Sequence, residues 1–140
     1  MSKYLGVDFG LKRIGLSITD QEKIFAFPLT TIEFNGAFDF LKNLFLKEEV
    51  SKVVIGYPKR LSGVDSDIES SIKIFIKKFK KQFPAIEIER FDERFTSKLA
   101  SKAIVSSGLG KKKRCDKSLI DKVSAAIILQ DYLTYNKSNL

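Results

Sequence analysis

The sequence predicts an α/β domain: a mixed five-stranded sheet, antiparallel over its first three strands and parallel thereafter, with helices on both faces. Three observations predict it. Three strand-like runs open the chain with no helical stripe between them. The later strand-like runs alternate with helical stripes. Two of the strands, Tyr4 to Phe9 and Val53 to Gly56, are mostly apolar, as strands buried on both faces are. At 140 residues and 15.9 kDa, with no repeat or linker in view, the chain reads as one domain, 1–140, with 136–140 expected to fray.

Each element has a local reason. Gly10-Leu11-Lys12-Arg13 is a turn, and Ile14 to Thr19 alternates apolar with small or polar residues, so it returns as a hairpin strand. Ile24 to Ile32 is a third strand in which Pro28 signals an edge or a bulge. Phe38, Leu41 and Phe45 mark an amphipathic helix. Val53 to Gly56 is the next strand. Ile68, Ile72, Phe75, Ile76 and Phe79 form a helical stripe, with Ser66 and Glu69 spaced as a capping box at its start. Ile86, Ile88 and Phe91 mark the last strand. Thr96 is placed to cap a helix that Gly108 would close, and a basic loop leads from Gly108 to a final helix, Ser118 to Tyr135.

Composition excludes several chemistries. There is no histidine, so Ser-His-Asp and Cys-His sites and imidazole-bound metals are out. The single cysteine allows no internal disulfide and no cysteine-rich zinc site. With no signal peptide or membrane span in the sequence, the expected location is the cytoplasm. The formal charge is +8, and the excess is clustered. Ile72 to Gln82 holds five lysines and no acid, and Lys98 to Lys117 holds seven basic residues against Asp116 alone. Such a field favours a polyanion such as nucleic acid; an ordinary solubility charge is the plainer alternative.

Three carboxylates stand out. Asp8 lies near the end of a buried strand, where an ionised acid is costly unless it is paired or binds a metal; it could instead cap the turn or pair with Lys12 or Arg13. Glu93, beside Asp92, follows a later strand and could simply be a solvated end paired with Arg94. Asp121 opens the last helix, where a capping box with Ser118 would also explain it. The small residues Ser124, Ala125 and Ala126 would let that helix approach the sheet and carry Asp121 towards Asp8. Carboxylates on separate elements, a basic surface and no imidazole suit Mg²⁺-type chemistry, in which paired ions clamp a phosphodiester during in-line displacement. Candidate nucleic-acid contacts are Lys12, Arg13, Lys59, Arg60 and Ser62, with Arg94 and the run Lys111, Lys112, Lys113 and Arg114, which holds Cys115 beside it.

Gly6-Val7-Asp8-Phe9-Gly10, Arg13-Ile14-Gly15, Gly56-Tyr57-Pro58 with Ser62-Gly63, Asp92-Glu93-Arg94, and Ile120-Asp121 with Ser124 to Leu129 occur in that order. Together they resemble the YqgF/RuvX family, RuvC-like proteins of ribonuclease H-like fold, over about Tyr4 to Leu133. The resemblance implies a candidate pre-16S rRNA nuclease acting at the 5′ end, or, for some members, a Holliday junction resolvase. It implies Mg²⁺ or Mn²⁺ as cofactor, and an acidic set falling on Asp8, Glu93 and Asp121. Where the family has a small residue after the last acid, this chain has Lys122.

The leading expectation is a metal-dependent endonuclease on structured nucleic acid, either pre-rRNA or branched DNA. A symmetric two-strand cut would call for a homodimer. A non-catalytic RNA-binding assembly factor would use the same basic patches. A sugar-kinase or actin-like ATPase shares the Asp8-x-Gly10 pattern but needs two lobes.

Overall fold

The computed structural model describes residues 2–10, 12–57, 63–91 and 117–138, of which 63–67, 117–122 and 137–138 are described by backbone alone. The strands are β1 (Lys3–Phe9), β2 (Arg13–Thr19), β3 (Ala26–Glu33), β4 (Val50–Gly56) and β5 (Glu87–Phe91). The helices are α1 (Ala37–Lys47), α2 (Gly63–Gln82) and α3 (Lys117–Ser138), with a 3₁₀ turn at Phe34–Gly36. The sheet order is β3-β2-β1-β4-β5. β1 pairs antiparallel with β2, and β2 with β3; β1 pairs parallel with β4, and β4 with β5. The expected mixed five-stranded sheet is therefore the observed one, with β1 at its centre.

The hairpin closes through Gly10, whose backbone N–H donates to the Arg13 carbonyl at 2.8 Å. Pro28 lies on the edge strand β3, where its missing N–H breaks no inner ladder. It also adjoins an irregularity: Leu16 pairs with Thr30 and Ser17 with Pro28, so Leu29 is an extra residue on that side.

Strand alternation splits the core in two. Leu5, Val7 and Phe9 of β1 face α1 and α2, packing with Ile14, Leu16, Leu41, Ile72, Phe75 and Phe79. Phenylalanines dominate this side: Phe75 meets Phe9 edge-on and Phe38 in a stack, both at 5.0 Å between centroids. On the other face α3 covers Val54 and Phe91 with Ile128, Leu129, Tyr132 and Leu133.

Two element boundaries differ from expectation. α2 begins at Gly63, so Ser66 lies inside the helix rather than at its cap. α3 begins at Lys117 and continues to Ser138, so residues 136–138 are helical. The helix expected from Thr96 to Gly108 and the basic loop after it lie outside the described residues.

α3 lies on the backbone of β1. A Cβ at Gly6 would stand 2.9 Å from both the Ala125 carbonyl oxygen and Leu129 Cβ, and 2.2 Å from Ser17 Oγ. Ser17, the antiparallel partner of Gly6, donates its buried hydroxyl to that same Ala125 carbonyl at 2.8 Å. Gly6→Ala should therefore force the helix off the sheet. The expected cost is about 1–3 kcal/mol, read as a fall of several degrees in the thermal midpoint; an unchanged midpoint would contradict the contact.

Candidate active site

Asp8 is partly buried on β1, on the sheet face that α3 covers, because it follows Gly6 by two residues. Its neighbours on the sheet are glycines. Gly6 and Gly10 flank it along the chain, and Gly15 is its partner on β2. Gly56 adjoins it on β4, one residue beyond the Val7–Ile55 pair. Four positions around this carboxylate thus carry no side chain, at the carboxyl ends of β1 and β4, where ligands of α/β sheets gather. Carboxylate oxygens suit hard divalent cations, and a frame of glycines lets a bulky anionic group approach the backbone.

The path of α3 bears on Asp121. Tyr4 of β1 meets Tyr132 at 6.2 Å between ring centroids, and Gly6 meets Leu129 and Ala125. The helix therefore runs against the direction of β1. Two strand residues advance about 6.6 Å and four helical residues about 6 Å, so the next step along β1 reaches Asp8 while the next turn back along α3 reaches position 121. The small residues expected to allow a close approach do so, with Ala125 in contact with the sheet. Of Asp121, only the helical backbone is described.

Glu93, with Asp92 and Arg94, lies outside the described residues, two positions after the end of β5 for Glu93. Lys59, Arg60, Ser62, Lys111, Lys112, Lys113, Arg114 and Cys115 also lie outside them. Lys12 and Arg13 are exposed at the hairpin tip, at the same end of the sheet as Asp8. Among the described residues, which omit the side chains of Glu93 and Asp121, no three or more Cys, Asp or Glu gather into a metal-binding group.

The structure adds a guanidinium clamp beside the site. Arg90 of β5 donates from Nη1 to Glu69 Oε1 at 2.7 Å and from Nη2 to Glu69 Oε2 at 2.9 Å. Nη2 also reaches the Gly56 carbonyl at 3.4 Å, and the guanidinium carbon lies 4.0 Å from the Tyr57 ring centroid. One planar group thus ties α2 to the chain as it leaves β4. The hydrogen bonds from Arg90 hold the Glu69 carboxyl below its ordinary range against the opposing effect of burial, with the Arg90 and Lys73 charges adding to them. Ser66 and Glu69 have the spacing of a capping box, but the partner of Glu69 is on another element, which no local pattern signals.

A second network ties down the far end of α3. The Tyr132 hydroxyl donates to Glu89 Oε2, and Lys52 Nζ donates to Tyr132 Oη at 2.9 Å. Lys52 also lies 3.4 Å from Glu89 and 5.1 Å from the Tyr4 ring centroid. Burial works against the Lys52 ammonium, but the Tyr132 hydrogen bond and the nearby charges outweigh it and hold its pKa above the usual lysine range. Burial, and then the bond to Glu89, push the Tyr132 hydroxyl up.

Comparison with known proteins adds to this geometry. The model of the family described as "RuvX: Holliday junction resolvase" matches residues 2–135. A Flavobacterium psychrophilum protein named "Putative pre-16S rRNA nuclease" is 49% identical over 134 residues, covering 96% of this chain and 98% of its own. A Porphyromonas gingivalis protein of the same name is 44% identical over 133 residues, covering 95% and 96%. The solved structure "T. thermophilus RuvC in complex with Holliday junction substrate" aligns with a TM-score of 0.66 over 97% of this chain and 96% of that one, at 10% identity, a likeness of fold.

Glu69→Gln should remove the charge from the Arg90 clamp and cost about 1–3 kcal/mol at pH 7. Because the folded-state pKa of Glu69 is depressed, its contribution is complete above the unfolded value of about 4.5 and fades as pH falls through the lower folded value. The gap between wild type and variant in urea unfolding should therefore shrink in acid; a gap that widens there would refute the assignment.

Proposed function

The chain belongs to the RuvX family, and from that premise we propose that it is a divalent-cation-dependent endonuclease acting in the cytoplasm on the 5′ region of pre-16S rRNA. The observation that carries this reading is the Asp8 carboxylate in its frame of glycines, under the N-terminal half of α3. The names of the relatives support the substrate.

In this reading Asp8, Glu93 and Asp121 hold Mg²⁺ or Mn²⁺ through carboxylate oxygens. Bound there, the ions supply a more acidic water and a counter-charge for the leaving oxygen. Asp8 acts from the central strand of the sheet, which is paired on both sides. Gly10, Gly15 and Gly56 admit the sugar–phosphate strand to the sheet end. Lys12 and Arg13 hold phosphates beside the hairpin tip, and Lys59, Arg60, Ser62, Arg94, Lys111, Lys112, Lys113 and Arg114 extend that contact. Arg90 steadies the chain as it leaves β4, through Gly56 and Tyr57, which precede Lys59 and Arg60 in the sequence.

The description of the family favours a second reading, a four-way DNA junction cut symmetrically by a homodimer. The test compares 5′-extended precursor 16S rRNA with a synthetic junction, each with Mg²⁺ or Mn²⁺ and with a chelator. Asp8→Asn should lower cleavage about a thousandfold or more, since several kcal/mol of charge stabilisation is lost, while circular dichroism and the thermal midpoint show an intact fold. Full activity of Asp8→Asn would overturn the reading. Binding without divalent-dependent cleavage would make the protein an assembly factor.

A further inference from the structure

We propose that the open pocket beside the hairpin tip is a stacking subsite for an unpaired nucleobase of the substrate strand; the proposal rests on the nucleic-acid reading above. The pocket has a volume of about 440 Å³ and is lined by Lys12, Arg13, Glu33, Phe34 and Asn35. Small-ligand sites span about 300–1,000 Å³.

Its chemistry is that of a nucleotide. Phe34 opens the 3₁₀ turn and is 37% exposed, although its ring also packs against Phe9 at 5.9 Å. A Cβ at Gly36, at the end of the same turn, would meet nothing within 4 Å, so the turn borders open space. A partly exposed aromatic ring held against a buried one can serve as a platform for a base. Lys12 and Arg13 are exposed cations suited to the flanking phosphates. Glu33, the register partner of Arg13, disfavours a phosphate deep in the pocket and can accept from the exocyclic amino group of a base. Asn35 offers a donor and an acceptor.

Its position suits a strand that passes over the end of the sheet, because Phe34 packs on Phe9, which faces α1 and α2, whereas Asp8 faces α3. Gly15 is the partner of Asp8, and Arg13 lies two residues from Gly15 on β2, about 7 Å along the strand. At about 3.4 Å per stacked nucleotide, that is a separation of about two nucleotides along the strand direction. A base in a duplex is already stacked, whereas a single-stranded base is free to stack on an aromatic ring. The pocket would therefore favour substrates with an unpaired nucleotide close to the cut.

The experiment measures binding of the full chain, without divalent ions, to a fluorescent single-stranded RNA of about 12 nucleotides and to a blunt RNA duplex. Phe34→Leu keeps an apolar contact to Phe9 but removes the stacking face, so it guards against a simple folding defect. Both Phe34→Leu and Phe34→Ala should weaken single-strand binding about tenfold, with duplex binding unchanged and Phe34→Trp restoring affinity. A 2-aminopurine base in the strand should be quenched by wild type and less so by Phe34→Leu. Single-strand binding by Phe34→Leu equal to wild type would overturn the proposal. So would a parallel loss on single strand and duplex, or equal competition by a free nucleoside monophosphate. Failure of wild-type protein to cleave would strike the nuclease reading alone, since the stacking measurement needs no cleavage.

Discussion

The contact on which the rest of the structure depends is that of α3 with the bare backbone at Gly6. Helices ordinarily lie over a sheet at a distance set by side chains. Here a carbonyl and a Cβ of the helix come within 3 Å of where a side chain would begin. The Ser17 hydroxyl satisfies itself on the Ala125 carbonyl, so burying it leaves no unpaired donor. Gln130 fastens the helix sideways, accepting from the Ala26 N–H at 2.9 Å and donating to the Ile24 carbonyl at 3.0 Å. The depth and the axial position of α3 are both fixed by these bonds, and its first turns come to lie over the carboxyl end of β1. Any acid borne there inherits its place from Gly6.

The two faces of the sheet divide the labour. Below, a phenylalanine-rich core packs the central strands against α1 and α2. Above, the contact with α3 includes a polar network, with Tyr132 serving Glu89 and Lys52 at once. β5 is where the faces meet, because successive residues serve opposite sides: Glu89 belongs to the Tyr132 network and Arg90 to the Glu69 clamp. A strand of five residues is thereby tied to a helix on each face.

Much of this was legible in the sequence because it is local. The opening hairpin, the place of Pro28 and the stripes of α1 and α2 follow from spacing alone. The small residues at Ser124 to Ala126 also announced a close-packed helix, since few other arrangements use a run without bulk in a buried helix. What escaped was every interaction whose partner arrives from elsewhere. Glu69 fits a capping box by its spacing from Ser66, yet its carboxylate closes on an arginine 21 residues away. Lys52 and Tyr132, 80 residues apart, meet only once β4 and α3 are packed. The glycine frame is an intermediate case. Its members at 6, 10 and 15 are visible around Asp8 in the chain, but Gly56 joins them only through the parallel pairing of β1 with β4.

Among the described residues β3 and β5 are the two edges of the sheet, and their construction bears on how the protein behaves at high concentration. An open edge offers a template on which a second chain can add its own backbone ladder. On β3, Pro28 and the irregularity at Leu29 interrupt that template midway. On β5 only five residues are described, and the exposed Glu87 and Glu89 would have to be stripped of water or faced with like charge in a neighbour. Among the described residues, both borders thus resist strand-by-strand polymerisation, while Phe25 and Phe27 remain exposed near one of them.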